Sequence, residues 1–156
     1  MLGELFVRAF VDGPARTRWL RETMHAQHNR VTHIINVSAH KNTFASNFSY
    51  LKLNVPDTVQ GKLKPYFDSA NAFIRECFDA KGKVFVHCHR GMSRSTTICI
   101  AWLMFDQRVT LGDAYETCKA SRNCIRPNDA FVDQLSNYEA ELLGKKITNA
   151  DRLYHL

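Results

Sequence analysis

The amino-acid sequence predicts one three-layer α/β domain, with a mostly parallel central sheet of four or five strands and helices on both faces. Its 156 residues match the size of one domain, for which roughly 150 residues is the usual expectation. Extended and helical patterns alternate along the chain, as they do where helices join parallel strands. In the middle, the short apolar run 84–86 precedes a segment, 95–105, that is apolar on nearly every side. This pair indicates a central buried strand followed by a buried helix.

The first half of the chain carries three further strand patterns and one helix pattern. Leu5–Val7 is a short apolar run, 33–37 is apolar enough for a buried strand, and 50–55 alternates between apolar and polar residues. A helix is predicted to start at 12–14, where Asp, Gly and Pro stand together, because proline is tolerated in the first turn. The apolar residues of this helix are Trp19, Leu20 and Met24.

Two amphipathic helices and one helix-start signal follow. One helix begins at Pro65 and the last begins after 127–128. In each helix, apolar residues recur at spacings of three and four and therefore share one face. These residues are Phe67, Ala70, Ile74 and Phe78 in the first helix, and Phe131, Leu135, Tyr138 and Leu142 in the second. Between them, Thr110 and Asp113 resemble a capping box with Asp in place of the usual Glu.

The composition is that of an ordinary globular protein. Hydrophobic residues make up 45% and charged residues 23%, which disfavours disordered, collagen-like and repeat architectures. The 21 basic residues exceed the 15 acidic ones, and the net charge of +6 favours anionic ligands. Because Lys and Arg are scattered and no RNA-binding aromatic signature accompanies them, we expect no nucleic-acid partner. No apolar run approaches the roughly 20 residues of a membrane span, and the charges within 1–25 argue against a secretory signal.

The cysteine pattern indicates a reducing compartment. The five cysteines are Cys77, Cys88, Cys99, Cys118 and Cys124. Their odd number and the lack of a C-x-x-C pair predict neither a disulfide framework nor a zinc site. His25, His28 and His33 also lack partners at metal-ligand spacing, so we expect no metal or other cofactor. We expect a cytoplasmic protein, with the nucleus as a second location.

The segment 87–95, His-Cys-His-Arg-Gly-Met-Ser-Arg-Ser, lies between the predicted central strand and the buried helix. A loop that enters a helix directs its backbone N–H groups and the positive end of the helix dipole to one point, which suits a phosphate group. The same field favours the thiolate form of Cys88. Arg94 can offer two donors to phosphate oxygens, and Gly91 supplies the backbone freedom that a tight loop needs.

A cysteine that follows a buried strand is, taken alone, most often a small core residue. Packing does not explain why Cys88, Gly91 and Arg94 stand together at a strand-to-helix junction. The combination favours a cysteine nucleophile in a phosphate-binding loop. The candidate substrate-binding residues of this loop are His89, Arg90, Gly91, Met92, Ser93 and Arg94.

This loop segment resembles the H-C-x5-R-[ST] signature of cysteine-based protein phosphatases. The flanking segments 31–37, 50–57 and 125–139 resemble, more narrowly, the dual-specificity protein phosphatases. The resemblance implies the α/β fold of these enzymes and a single catalytic domain, which we place over 1–144. Because the apolar periodicity fades beyond Gly144, we expect 145–156 to be a polar tail that is ordered only by local docking. It also implies metal-independent hydrolysis of phosphotyrosine and of phosphoserine or phosphothreonine in proteins, through a phosphocysteine intermediate.

The resemblance assigns the proton donor for the leaving group to Asp57. An aspartate directly after Pro56 would otherwise be interpreted as a turn residue. Asp57 follows a predicted strand, however, in the loop where the family carries its acid. Asp68 and Asp79 are poorer candidates because both fall in the helix that begins near Pro65.

Further supporting roles are implied by the same resemblance. Ser95 would hydrogen-bond the Cys88 sulfur and ease cleavage of the intermediate, although a helix serine needs no such role. His87 would orient the loop and support the ionised cysteine, although a buried histidine is often only part of the core. Asn36 and Asn128 would brace the loop by hydrogen bonds, and Asn128 is also suited to cap the last helix.

Arg90 departs from the family pattern, in which many members have a small residue at this position. It is either a solvated surface residue or a grip for a second phosphate or an acidic flank of the substrate. Arg122 and Arg126 add to the same positive field. Two other functions stay open: a phosphatase of phosphoinositides or RNA 5′ phosphates, and a phosphate-binding module without turnover. The expected partner is a phosphorylated protein, with kinases among the candidates, and the sequence leaves the oligomeric state open.

Overall fold

The computed structural model describes residues 5–7, 31–42 and 46–155. They include a four-stranded sheet built from β1 (Leu5–Val7), β2 (Val31–Asn36), β3 (Ser49–Lys52) and β4 (Lys83–His87). The strand order is β1-β4-β2-β3, and every neighbouring pair is parallel. The predicted α/β fold with a parallel sheet is confirmed, and β4 lies in the interior of the sheet as expected.

β3 is shorter than predicted, because it ends at Lys52 rather than at Val55. Leu53 still donates its N–H to the Asn36 carbonyl at 2.9 Å, but Val55 donates to the Leu53 carbonyl instead of to a neighbouring strand. Both Leu53 and Val55 are buried. Their apolar alternation therefore reflects burial in the core rather than pairing in the sheet. The departure from the sheet carries the chain directly to Asp57.

The described part of the chain contains four α-helices: α1 (Phe67–Asp79), which lies between β3 and β4, and then α2 (Arg94–Gln107), α3 (Leu111–Ser121) and α4 (Asp129–Leu143). A short 3-10 helix, Lys64–Tyr66, precedes α1 and contains the proline from which the helix was predicted. A last 3-10 helix spans Ala150–His155. The predicted helix that contains Trp19 lies outside the described residues. No described helix combines the length and the apolar character needed to cross a membrane.

The main core lies between one face of the sheet and the helices. Its fully buried strand residues include Ile35, Val84 and Val86. Every residue of α2 from Ser95 to Met104 is buried, which confirms the prediction of a helix that is enclosed on nearly all sides. Because side chains alternate along a strand, Ile34 and Phe85 point to the opposite face, where they form a smaller apolar cluster.

The helix faces predicted from the sequence are buried except at their C-terminal ends, where Phe78 and Leu142 are only partly buried. In α1 they include Phe67, Ala70 and Ile74, and in α4 they include Phe131, Leu135 and Tyr138. Thr110 caps α3, because its hydroxyl oxygen accepts the Asp113 N–H at 3.1 Å. The second hydrogen bond differs from that of a capping box. The Asp113 carboxylate accepts from the Thr110 hydroxyl at 2.6 Å, whereas the acidic residue of a capping box accepts from the backbone N–H of the cap residue.

The segment after α4 packs on the domain. Glu139 of α4 is fully buried and accepts the N–H groups of Ile147 and Thr148 at 2.7 and 2.9 Å. Leu153, in the last 3-10 helix, has no exposed surface. The segment predicted as a polar tail is therefore docked by a buried carboxylate and an apolar side chain.

Candidate active site

The phosphate-binding loop predicted from the sequence connects β4 to α2. Cys88 follows the last residue of β4, and Arg94 is the first residue of α2. Gly91 lies between them with a φ of +61°, a left-handed conformation that glycine adopts without steric cost. This conformation lets the Gly91 N–H turn back to the Cys88 sulfur, from which it is separated by 3.1 Å.

The Cys88 sulfur receives a second contact from the start of α2. The Ser95 hydroxyl oxygen lies 3.3 Å from Sγ, so the hydrogen bond implied by the family resemblance is present. Only 1% of Cys88 is exposed. A backbone N–H and a hydroxyl therefore converge on a buried sulfur at the N-terminus of a helix, an arrangement that stabilises negative charge on that sulfur.

The Asp57 carboxyl group lies beside this loop, although it comes from the segment after β3. Its Oδ1 accepts the Ser93 hydroxyl at 2.7 Å and the Asn128 amide at 2.9 Å. Its Oδ2 lies 3.5 Å from the Arg94 Nε. Three side chains from two separate segments therefore fix the position of the carboxyl group, which remains partly exposed to solvent.

Two contacts hold the guanidinium group of Arg94 in place. In addition to the Asp57 contact, one terminal nitrogen donates to the Val55 carbonyl at 3.2 Å. Only 12% of the Arg94 side chain is exposed. A guanidinium group has five N–H donors, so the contact with Val55 orients the planar group and leaves further donors for a phosphate. Val55 was not identified as a site residue from the sequence, because its backbone oxygen carries the contact.

Asn128 connects the acid, the loop and α4. Its side-chain oxygen accepts the Phe131 N–H at 3.0 Å, which confirms the predicted cap of α4. Its amide nitrogen donates to Asp57, and its backbone N–H donates to the Ser93 hydroxyl oxygen at 3.1 Å. Asn128 thus braces the loop through Ser93 while it holds Asp57. The bridging role of Ser93 between them was not predicted.

His87 is the last residue of β4, directly before the loop, and is 3% exposed. The pKa of His87 is lowered to about 4. Burial is the main cause, nearby Lys52 and His40 also lower it, and a hydrogen bond with the Cys88 backbone acts in the opposite direction. The imidazole is therefore neutral at neutral pH. The neutral ring stacks on Phe85, with 5.5 Å between the ring centroids, and this packing would help to orient the loop. The support of an ionised cysteine by His87 stays a prediction.

Asn36 reaches the loop indirectly. Its amide nitrogen donates to the His40 carbonyl at 3.0 Å and to the Asn42 side-chain oxygen at 2.9 Å, and its side-chain oxygen accepts from the Ser38 hydroxyl. The segment that Asn36 holds carries His40, whose Nε2 lies 3.1 Å from Nδ1 of His89. The sequence did not single out His40, because the contact joins residues that are far apart in the chain.

The rim of the loop carries further basic residues. Arg90 is exposed, whereas His89 and Met92 are partly buried. Arg122 donates from Nε to the Gly91 carbonyl at 3.1 Å, so this predicted contributor to the positive field also holds the loop backbone.

The other candidate groups lie elsewhere. Asp68 and Asp79 belong to α1, at its first turn and its last residue. His33 contacts the Thr32 hydroxyl and the Phe73 ring, while His25 and His28 fall outside the described residues. In the described ranges, no three His, Cys, Asp or Glu residues are grouped so that they could hold a metal ion.

Comparison with known proteins agrees with the fold and with the family resemblance of the sequence. The family model for "Dual specificity phosphatase, catalytic domain" matches residues 19–141. Mouse dual specificity protein phosphatase 1 is 42% identical over 115 residues, which are 73% of this chain and 31% of that protein. Mouse dual specificity protein phosphatase 18 is 39% identical over 118 residues, or 75% of this chain and 63% of that protein.

A solved structure extends the likeness over most of the chain. The crystal structure of human tyrosine phosphatase-like serine/threonine/tyrosine-interacting protein has a TM-score of 0.78 and 31% identity, over 90% of this chain and 93% of that one. The fold and the loop define a cysteine-based phosphatase domain. More narrowly, the chain belongs to the dual-specificity phosphatase catalytic domain family. It spans about a third of the length of dual specificity protein phosphatase 1.

Proposed function

We propose that this chain hydrolyses phosphate esters of tyrosine and of serine or threonine in phosphorylated proteins, through a phosphocysteine intermediate and without a metal ion. The observation that carries the proposal is the convergence of the Gly91 N–H and the Ser95 hydroxyl on the Cys88 sulfur, 3.1 and 3.3 Å away. Both contacts stabilise the thiolate that the reaction needs as nucleophile.

In the first step, the Cys88 thiolate attacks phosphorus and forms a sulfur–phosphorus bond while the ester phosphorus–oxygen bond breaks. The loop N–H groups and the Arg94 guanidinium hold the three non-bridging oxygens of the phosphoryl group while it is transferred from the ester oxygen to sulfur. Asp57, in its protonated form, gives its proton to the departing oxygen of the substrate. The dephosphorylated residue leaves, and the enzyme keeps the phosphoryl group on Cys88.

In the second step, the Asp57 carboxylate takes a proton from a water molecule whose oxygen attacks phosphorus. The sulfur–phosphorus bond breaks, and the electron pair returns to the Cys88 sulfur as a thiolate. The Ser95 hydroxyl stabilises this leaving thiolate, and inorganic phosphate is released. Asp57 is then protonated again, so the cycle closes without a redox or metal cofactor.

The partner that we propose is a phosphorylated protein, with kinases among the candidates. Several relatives are described as dual specificity protein phosphatases, which supports protein substrates over phosphoinositides or RNA 5′ phosphates. A cytoplasmic location, with the nucleus as a second one, agrees with five cysteines that are all free, four of them buried.

A phosphate-binding module without turnover is the second candidate function. The structural relative described as tyrosine phosphatase-like and serine/threonine/tyrosine-interacting keeps this alternative relevant. The present chain has Cys88, Asp57 and Arg94 in mutual reach, and a module that only binds would need neither the nucleophile nor the acid. Turnover is therefore the better-supported function.

A substrate panel tests the proposal. The chain 1–156 would be assayed with phosphotyrosyl and phosphothreonyl peptides, phosphoinositides and 5′-triphosphate RNA, with a chelator present throughout. We expect the phosphopeptides to give the highest kcat/KM, Cys88→Ser to abolish turnover while retaining phosphate binding, and Cys124→Ser, which changes an exposed cysteine, to remain active. Preference for a lipid or RNA would favour the other substrate class, and binding without release of phosphate would favour the non-catalytic module.

A further inference from the structure

The C-terminal segment is attached to the domain at two separate points. At the first point, the buried Glu139 carboxylate accepts from the N–H groups of Leu111, Ile147 and Thr148 and from the Thr148 hydroxyl, at 2.7 to 2.9 Å. Burial alone would raise the pKa of Glu139, but these hydrogen bonds outweigh it and hold the pKa below its ordinary value. Glu139 therefore remains a charged acceptor that fixes the beginning of the segment on α3 and α4.

The second point of attachment lies beside the candidate active site. The Tyr154 hydroxyl donates a hydrogen bond to the Pro127 carbonyl. Because Pro127 precedes the cap residue Asn128, its carbonyl is outside the hydrogen-bond ladder of α4 and needs a donor from elsewhere. Burial, with Asp129 and Tyr115 adding to it, raises the pKa of Tyr154 to about 12. The hydroxyl thus stays protonated and able to donate at every working pH.

The Tyr154 ring is itself oriented by its neighbours. It meets the Tyr115 ring edge to face, with 6.0 Å between centroids. The Arg126 guanidinium lies over it, 4.9 Å from the centroid. These contacts involve the ring and not the hydroxyl, so a phenylalanine in place of Tyr154 would keep them and would lose only the hydrogen bond to Pro127.

The segment held by Tyr154 also touches the loop and the acid. Arg126 donates its N–H to the Met92 carbonyl at 2.7 Å. Asn128 donates its N–H to Ser93 and its side-chain amide to Asp57. Residues 126–128 therefore lie between Tyr154 on one side and the phosphate loop and the proton donor on the other.

We propose that Tyr154 is a positioning residue for the acid step: its hydroxyl fixes the Pro127 carbonyl, and thereby the Asn128 amide that holds the Asp57 carboxyl group. The proposal rests on the phosphatase function proposed above. Tyr154 does not touch the substrate or the reacting atoms. Its effect is to keep Asp57 in the place from which the leaving oxygen is protonated.

The test is Tyr154→Phe, assayed with aryl phosphates that range from p-nitrophenyl phosphate to phenyl phosphate. Loss of one hydrogen bond should reduce kcat for phenyl phosphate by about threefold to tenfold. The kcat for p-nitrophenyl phosphate should change less than about twofold, because a good leaving group depends little on proton donation. Tyr115→Phe is the matched control, since it also removes a hydroxyl from this aromatic pair, and it should leave the whole series unchanged.

A double-mutant cycle separates positioning from a general effect on the fold. In an Asp57→Asn background there is no acid to position, so adding Tyr154→Phe should have no further effect on kcat. A thermal unfolding curve that shows Tyr154→Phe to be fully folded at the assay temperature would support the same conclusion.

Three outcomes would overturn the proposal. They are an unchanged kcat of Tyr154→Phe for every leaving group, an equal loss of kcat for all leaving groups, and a full loss that persists in the Asp57→Asn background. Each of them would leave the phosphatase function standing, because the unmutated chain would still hydrolyse the series. An inactive unmutated chain would instead overturn the proposed function, and with it the reaction that Tyr154 is proposed to serve.

Discussion

Arg94 and Asp57 form an ion pair in which 3.5 Å separates Nε from Oδ2. The residue assigned to bind phosphate therefore lies beside the residue assigned to protonate the leaving group. Ser93 and Asn128 hold the other carboxyl oxygen, so the acid and the phosphate loop form one connected unit. Substitutions in this unit should separate binding from proton transfer.

Asp57→Asn should lower kcat by at least about a hundredfold for a phosphothreonyl peptide, and far less for an aryl phosphate with a good leaving group. The reason is that only an alkoxide leaving group depends strongly on a proton donor. The measurement is kcat across a series of leaving groups. Asp68→Asn on α1 is the control and should match the unmutated chain. An equal loss across the series would make Asp57 a structural residue.

Arg94→Lys should reduce kcat/KM by roughly a hundredfold, or about 2.7 kcal/mol of transition-state stabilisation. Lysine keeps the charge but cannot offer two parallel donors, and it would lose the geometry set by the Val55 carbonyl. Steady-state kinetics on a phosphotyrosyl peptide checks the value, with the exposed Arg152→Lys as control. Near-normal kcat/KM in Arg94→Lys would show that charge alone is sufficient.

Arg90→Ala should have a milder effect that depends on the substrate. Arg90 is an exposed residue on the rim of the loop, where its guanidinium can reach a second phosphate or a nearby carboxylate. We expect kcat/KM to fall several-fold for a doubly phosphorylated peptide and to change little for a singly phosphorylated, uncharged one. If the two peptides respond alike, Arg90 is a solvated surface residue.

Cys88 should react with peroxide faster than the other four cysteines, because its sulfur is held where negative charge is stabilised. Burial raises the pKa of the Cys99 thiol well above its ordinary value and that of Cys118 to about 12, so these two should be inert. Peptide mapping after mild oxidation measures the rates, and inorganic phosphate should protect Cys88.

The same mapping tests the exposed Cys124 as a resolving partner for an oxidised Cys88. A linked peptide containing both residues would support that role, and its absence would leave Cys124 as an ordinary thiol. Oxidation of Cys88 no faster than that of Cys124 would contradict the argument that its sulfur is activated.

His87 should make stability fall as the solution is acidified. Its pKa is about 4 in the folded protein against an ordinary value of 6.5, so the unfolded state binds the proton more readily. The contribution is fully present above about pH 6.5, falls as the pH decreases from 6.5 to 4 and is lost once the pH has passed through 4. Urea unfolding measures the free energy of unfolding at pH 7.0 and at pH 4.5. Its decrease between the two pH values should be larger by about 2.5 kcal/mol in the unmutated chain than in His87→Gln. Equal drops would show that the folded protein accommodates a charged His87.

The sequence by itself determined the features that depend on local order. The spacing of Cys88, Gly91 and Arg94 predicts the loop, because a tight strand-to-helix connection requires particular residues at short separations. Helix faces could be predicted because apolar residues recur at the helical period, and the cap at Asn128 because a short side chain bonds a nearby N–H. The assignment of Asp57 needed the family resemblance, since one aspartate after a proline has no distinctive local pattern.

Only the tertiary structure decided which distant groups meet. Packing decides where β3 ends, at Lys52. It also brings together the segments joined by the contact of Ser93 with Asp57 and by the hydrogen bond from Tyr154 to Pro127. The docking of 145–155 depends on Glu139, whose buried carboxylate looks like an ordinary helix glutamate in the sequence. Periodicity reports which side of an element is buried. It does not report what lies against that side, because the partner is selected by the packing of the whole chain.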